Sequence, residues 1–366
     1  MKNRIEYLDS VRGLAALSVV YSHFVGAYGL PTESPFFVWL WTSTPLHLLW
    51  DGFAAVSFFF VLSGYVLSRG FFQKKRSPFS ADFSLLGYVG KRICRIWIPY
   101  VACLALSALC FRYFFSLPNT VPQASPWLST FWQQAPSIKD LTKEVFLIFK
   151  QNEPYFFIPP AWTLSTELIM SIFVPLGIVL AIYHSGWLLF FSIFFAVAVK
   201  SSLFPIHFAF GILIAKHADW IFLKLSERKA WLWTLCVGGI LLYSSRYTFF
   251  TLVPQLAFES VIFSATGLGS AFLLIFLLSH LPSQKVLNHS VFTFVGRISY
   301  SVYLFHFMLL LTVMPKILVW IGTFSIHAHL NWWLGVSAFT ALVILFSAIS
   351  YQTVEKSSIE LGRKLQ

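Results

Sequence analysis

Two ionisable side chains stand in the first apolar run of this 366-residue chain, Arg12 at its mouth and His23 deep inside it. Eleven residues of α-helix advance about 1100°, or three turns and about 20°, so the two share a face about 16 Å apart along the axis. A guanidinium and an imidazole both cost free energy in hydrocarbon, and therefore face protein or a water-filled cavity. Chemically, the first can hold an anion; the second can take a proton from a hydroxyl or attack an acyl carbon. The structural alternative is an arginine snorkelling to the headgroups and a histidine satisfied by a nearby carbonyl. Spacing alone does not choose between them.

Other polar residues fall within apolar runs. Arg92 and Arg95 are three residues apart on neighbouring helix faces. That spacing suits bidentate phosphate binding, although membrane-flanking charge is the plainer account. Glu167 lies in the run opened by Pro160 and Trp162, with no Lys or Arg near it in sequence. A buried carboxylate without a local partner points to function. Tyr300, Tyr303 and His306 recur at i, i+3 and i+6, so they form either one polar edge or three aromatics packed in a core. Asp51-Gly52 precedes the run Phe58-Phe59-Phe60-Val61-Leu62-Ser63-Gly64, where Ser63-Gly64 reads first as a small pair that lets helices approach closely.

These residues need elements that hold them at depth, and the composition says which. The chain is 57% hydrophobic, 19% aromatic and only 11% charged, with a mean hydropathy of +0.73. Ordinary soluble domains carry about 25% charged residues, so this chain cannot be wetted all round. It reads as an all-α polytopic membrane protein. Apolar runs of about twenty residues predict ten spans, at about 8–28, 46–68, 94–116, 161–183, 187–203, 204–220, 230–245, 256–279, 295–321 and 332–352. An even number puts both termini on one side. Most of the 26 Lys and Arg then fall on that side, Lys2, Arg4 and the basic connection from Arg69 to Arg95 (including Lys75 and Arg76) among them. This is the positive-inside pattern of a bacterial inner membrane protein with cytoplasmic termini. It accounts for the net charge of +12 without nucleic acid.

The opposite side carries residues 118–160, rich in Pro, Gln, Ser and Trp, which predict an ordered extracytoplasmic loop with an interfacial helix near 138–150. Trp127 and Trp132 in it could stack on sugar rings, with interfacial anchoring the plainer role. The cysteines at 94, 103, 110 and 236 have neither metal spacing nor a disulfide framework, and no metal is expected. Asp9, Arg12 and His23 match a cleavable signal peptide poorly. No appended soluble domain is expected.

Taken in order, these motifs resemble those of a known family. Arg12, ten residues, then His23 resembles the Arg-x10-His signature of the bacterial membrane acyltransferases called acyltransferase family 3. Phe59-Phe60-Val61-Leu62-Ser63-Gly64, Lys91-Arg92-x-x-Arg95-x-x-x-Pro99, Trp162-x-x-x-x-Glu167 and Ile298-Ser299-Tyr300-x-x-Tyr303-Leu304-x-His306 are similar to further motifs of that family, in the same order. The closing Tyr351-x-x-Val354-Glu355-Lys356 is similar as well. The chain departs where many relatives have an acidic residue before the double Phe and it has Ser57, and the SGNH-type esterase domain fused to some relatives is not expected here.

The resemblance implies one acyltransferase domain over residues 1–366. Its members take an acyl group, usually acetyl, from cytoplasmic acyl-CoA and deliver it to a hydroxyl on the far side of the inner membrane. The acceptor is commonly a surface glycan such as lipopolysaccharide O-antigen or exopolysaccharide, or a lipid-linked saccharide. On that basis Arg12, Arg92 and Arg95 are expected to hold the phosphates of acetyl-CoA, with His23 as base or acyl carrier. Glu167 is expected to orient His23 or touch the acceptor, and Ser63, Trp162, Tyr300, Tyr303 and His306 to line the tunnel. The rival reading is a transporter or flippase for a lipid-linked or anionic substrate, since intramembrane Arg, His and Glu also mark transport paths. Inverted-repeat symmetry would favour it, and none is visible in the sequence.

Overall fold

The computed structural model describes residues 5–74, 78–80, 83–115, 124–148, 155–198, 204–226, 228–324 and 327–365. The basic residues Lys2, Arg4, Lys75 and Arg76, and parts of the predicted loop (118–123 and 149–154), lie outside the described residues. The described residues form helices joined by turns, with no strand among them. The helices that carry the fold are α1 (Glu6–Tyr28), α2 (Gly52–Gln73), α3 (Leu85–Tyr113), α4 (Trp162–Tyr183), α5 (Ser185–Ala198), α6 (Phe204–Lys216), α7 (Lys229–Tyr243), α8 (Glu259–Ser279), α9 (Ser290–Thr312) and α10 (Ala328–Ser350). Six of these, α2, α3, α4, α8, α9 and α10, are long and apolar enough to cross a bilayer. A bent pair, α6 with Ala218–Leu225 at 70°, and the shorter α5 and α7 fall on three more predicted spans. The chain is a multi-pass membrane protein.

Three boundaries differ from expectation for local reasons. The third helix begins at Leu85 rather than near 94, because Ser84 caps it by accepting from Gly87 N at 3.0 Å. Arg92 and Arg95 also meet protein, so the helix runs on through the basic stretch. The run predicted at 295–321 is two helices, broken at Val313 before Met314–Gly322. Pro315 lacks the N–H that a continuous helix would need there. The expected start of the second span near residue 46 moves to Gly52, capped by Asp51, whose Oδ1 accepts from Ala54 N at 2.8 Å. Gly64 does serve close packing, since a Cβ there would strike the backbone of Phe208 in α6.

The helix pair that matters most is α1 and α9, which run parallel. They cross at two glycines: a Cβ on Gly13 would stand 2.7 Å from Gly296 N, and one on Gly296 would strike the backbone of Asp9. Small residues let backbones approach this closely where lipid supplies no hydrophobic drive. His23 and His306 each follow their glycine by ten residues, about 15 Å at 1.5 Å per residue. Parallel helices therefore bring the two imidazoles to one depth. Tyr28 OH, donating to Leu310 O at 3.4 Å, continues the pairing. Replacing Gly296 with Val is expected to force α1 off α9, at a cost of about 1–3 kcal/mol for overpacking, and to misalign the two rings. Thermal unfolding in detergent checks the first effect and acyl transfer the second. A variant as stable and active as wild type would show that the crossing needs no glycine.

One end of the bundle holds the N-terminus of α1 and most of the described arginines near it. The other holds residues 124–148 and 155–160, which fold over the ends of α1 and α3. The predicted interfacial helix is there as Ile138–Val145. Glu144 just before its end is fully buried and accepts from the backbone N–H groups of Phe156 and Phe157. Trp97 and Tyr100 of α3 donate to the carbonyls of Val145 and Glu144, at 2.7 and 2.8 Å. Tyr155 donates to Ile148 O at 2.6 Å, its phenol pushed up to about 12 by burial. Trp132 is 2% exposed and donates its Nε1 hydrogen to Phe156 O, so it is a structural residue, closed to any sugar.

Candidate active site

At the basic end the inner halves of α1, α2, α3, α4 and α9 enclose a cavity of about 1260 Å³. Nine Lys and Arg line it against four Asp and Glu, and Arg12, Arg92 and Arg95 are all among them. Three arginines drawn from two helices thus share one space. Two of them have carboxylate partners already. Arg12 Nη1 meets Asp9 Oδ1 at 2.8 Å, one turn earlier on α1. Arg92 Nη2 meets Glu167 Oε1 at 3.0 Å across α3 and α4. The partner that Glu167 lacks in sequence is therefore supplied by another helix. Glu355 is 2% exposed, accepts from Ser301 Oγ at 2.8 Å, and lines the same cavity.

The lining changes character with depth. Phe59, Ser63, Ile96, Tyr300, Thr163 and Tyr303 line the wall beyond the arginines. Tyr300 OH donates to Ile96 O at 2.6 Å, which fixes its ring against α3. Tyr303 OH lies 2.5 Å from Thr163 Oγ1 and 2.9 Å from Pro160 O. These hydroxyls form the floor. His306, His23 and Trp162 do not line the cavity. Trp162 packs its ring against Phe204 at 5.7 Å instead and His306 meets His23 of α1, so these two of the expected tunnel residues turn to helix interfaces.

One turn beyond Tyr303 is His306, fully buried, and His23 Nδ1 lies 2.9 Å from its Nε2. The ring centres are 5.1 Å apart and the planes differ by 12°. Each ring nitrogen stands about 1.1 Å from its own centre, so the rings meet edge to edge in nearly one plane, as an N–H···N hydrogen bond requires. The direction of that bond follows from the next one. His306 Nδ1 lies 3.2 Å from Val302 O, and a carbonyl only accepts, so His306 Nδ1 carries the hydrogen. Neutral His306 then offers a lone pair at Nε2, and His23 Nδ1 donates to it. His23 is left with a lone pair on Nε2. Assigned in this way from the hydrogen bonds, the series from Val302 O through His306 to His23 holds one imidazole in a basic, nucleophilic tautomer. The residue that orients His23 is His306, whereas Glu167 stands with Arg92 in the cavity.

An arginine-lined cavity that ends beside an oriented imidazole is the arrangement of a group-transfer enzyme, and comparison with known proteins agrees. The acyltransferase domain of acyltransferase family 3 matches residues 5–352. The chain belongs to that family. It is also similar to "Protein 2 in picA locus" of Rhizobium radiobacter, 26% identical over 174 residues that cover 46% of this chain and 79% of that protein. No solved structure matches it.

Within this membrane acyltransferase the structure gathers the sequence-selected residues into two groups. Arg12, Arg92, Arg95, Ser63, Glu167, Tyr300 and Tyr303 share the cavity, and His23 with His306 stand beyond its floor. Two further residues belong here. Thr163 completes the floor, and a hydroxyl beside Trp162 carried no signal in a run that already held Ser165 and Thr166. Glu355 reaches the cavity through a π-helical turn at Tyr351–Glu355, a device often found at functional sites. The sequence pattern marked Glu355 only as part of the chain's ending.

Proposed function

We propose that this acyltransferase takes an acyl group, acetyl in the first instance, from cytoplasmic acyl-CoA and transfers it to a hydroxyl of an extracytoplasmic glycan across a bacterial inner membrane. The observation that carries the proposal is the cavity, basic at its mouth and walled by aromatic and hydroxyl groups toward the His23–His306 pair. CoA is a polyanion with a long neutral arm and a terminal thioester. Arg95 and the guanidinium groups of Arg12 and Arg92 suit its phosphates, which would compete with Asp9 and Glu167 for the last two. Arg12 and His23 stand about 16 Å apart on unbroken α1, a span comparable to the pantetheine arm, and Phe59, Tyr300 and Tyr303 lie along that way.

The chemistry follows from the tautomer. His23 Nε2 removes the proton of the acceptor hydroxyl as its oxygen attacks the thioester carbonyl. The carbon–oxygen bond forms, the carbon–sulfur bond breaks, and the thiolate leaves with the proton that His23 took. The positive charge that His23 gains in between is spread through its N–H···N bond to His306. Thr163 and Tyr303 bond one another and Pro160 O in the structure; turned from that carbonyl, one of these hydroxyls can donate to the oxyanion, the kind of group whose contribution is largest where water is excluded.

Sidedness tests the proposal. Sealed inverted vesicles should consume externally added acetyl-CoA, and sealed right-side-out vesicles only acetyl-CoA loaded in the lumen. Equal consumption of external donor by both kinds, with seals verified, would defeat transfer across the membrane.

A further inference from the structure

Residues 124–131 of the loop end close over the His23 side of the pair. Ser125 N donates to Ala27 O at 2.8 Å and Ser125 Oγ to Gly26 O at 2.6 Å. These bonds satisfy carbonyls that the end of α1 leaves open and pin the segment to the helix that carries His23. Two residues on, the Trp127 ring lies parallel to the His23 imidazole, with centres 5.9 Å apart and planes within 8°. Phe131 and Phe307 meet Trp127 edge-on, at 5.0 and 5.9 Å, and Phe307 also stands edge-on to His23 at 5.1 Å. The position has no slack: a Cβ on Gly26 would come within 3.3 Å of the indole. Trp127 is nevertheless 37% exposed, so one part of the ring covers His23 while another faces out.

We infer that Trp127 decides between transfer and hydrolysis, by keeping water from the loop end away from the acyl group at His23 until an acceptor takes its place. The inference rests on His23 being the centre of transfer. An imidazole that activates a glycan hydroxyl activates water equally well, and water is present at about 55 M on the loop side. Excluding it is the recognised way to suppress such side reactions. In the competing reaction His23 Nε2 takes a proton from water and the water oxygen bonds to the acyl carbon. The carbon–sulfur bond breaks, giving free acid and CoA thiol. The other ring contacts of His23 among the described residues are to His306 and Phe307 of α9, and His23 keeps part of its surface accessible, so Trp127 is the aromatic that the loop places against it on that side.

The test uses sealed inverted vesicles carrying the full-length protein and their own glycans, with acetyl-CoA radiolabelled in the acetyl group. Label is followed into free acetate and into the glycan fraction. Wild type should place most label in glycan. Trp127→Ala should raise acetate release about tenfold and lower the glycan share, with Trp127→Phe in between. Gly26→Ala, which displaces the ring without deleting it, should shift the ratio in the same direction, and it guards against a Trp127 variant that fails to fold. Adding His23→Ala to Trp127→Ala should abolish the extra acetate. Trp127→Ala and Gly26→Ala with the wild-type ratio would overturn the inference while leaving the acyltransferase reading intact. Wild-type vesicles that release no CoA at all would overturn that reading, and this inference with it.

Discussion

His23→Ala should lower acyl transfer by about 10²–10⁴-fold, the usual contribution of a positioned general base. Loss of the imidazole removes the only lone pair that the hydrogen bonds aim away from His306. It also leaves the buried Nε2 of His306 without its donor, a cost of about 1–3 kcal/mol. The variant should therefore still insert and run as a single species in detergent, with a somewhat lower melting temperature. Free CoA released per milligram of protein in native vesicles is the measurement. Donor binding should hardly change, because the arginines line the cavity on the near side of Tyr303 and Thr163. Transfer at the wild-type rate would remove His23 from the mechanism. Weak transfer together with lost donor binding would instead make His23 part of the binding site.

His306→Ala is the second large effect, and it separates positioning from mere packing. Without an acceptor at that point, His23 Nδ1–H loses the partner that sets its tautomer and plane. Serine hydrolases, where losing the correct tautomer costs about 10⁴-fold in kcat, give the scale. Here the orienting group is neutral, so about 10²-fold is expected, with KM for acetyl-CoA little altered. His306→Gln is the informative companion. A glutamine oxygen can accept from His23 Nδ1–H as the ring nitrogen did, so part of the rate should return. A purely structural role would follow melting temperature rather than acceptor capacity. Equal activity in the Ala and Gln variants at equal stability would therefore refute the tautomer argument.

Membrane residence was legible because every stretch of a polytopic chain must satisfy the same solvent. Apolar length alone located α4, α8 and α10 to within a few residues, and α3 failed for an instructive reason. The basic residues at its start looked like a boundary, yet Arg92 is buried against Glu167 and the helix runs past it. A sequence window counts a charge as exposed and cannot see the partner that a distant helix brings. The same limit applied to Glu167, whose isolation in sequence suggested a partner for His23 and whose partner in space is Arg92.

Sequence by itself determined which residues resist their surroundings and that Arg12 and His23 lie on one face, since both follow from residue type and the constant rise of a helix. It also determined the family, because five weak motifs in fixed order are together specific. Only the tertiary structure decided that Gly13 and Gly296 set α1 beside α9 in parallel register, so that His23 meets His306 edge to edge. Only the structure decided that Trp127 covers His23 while Trp132 is locked into the loop. These are contacts between segments up to about 280 residues apart, and their geometry depends on close packing that no local pattern of polarity encodes.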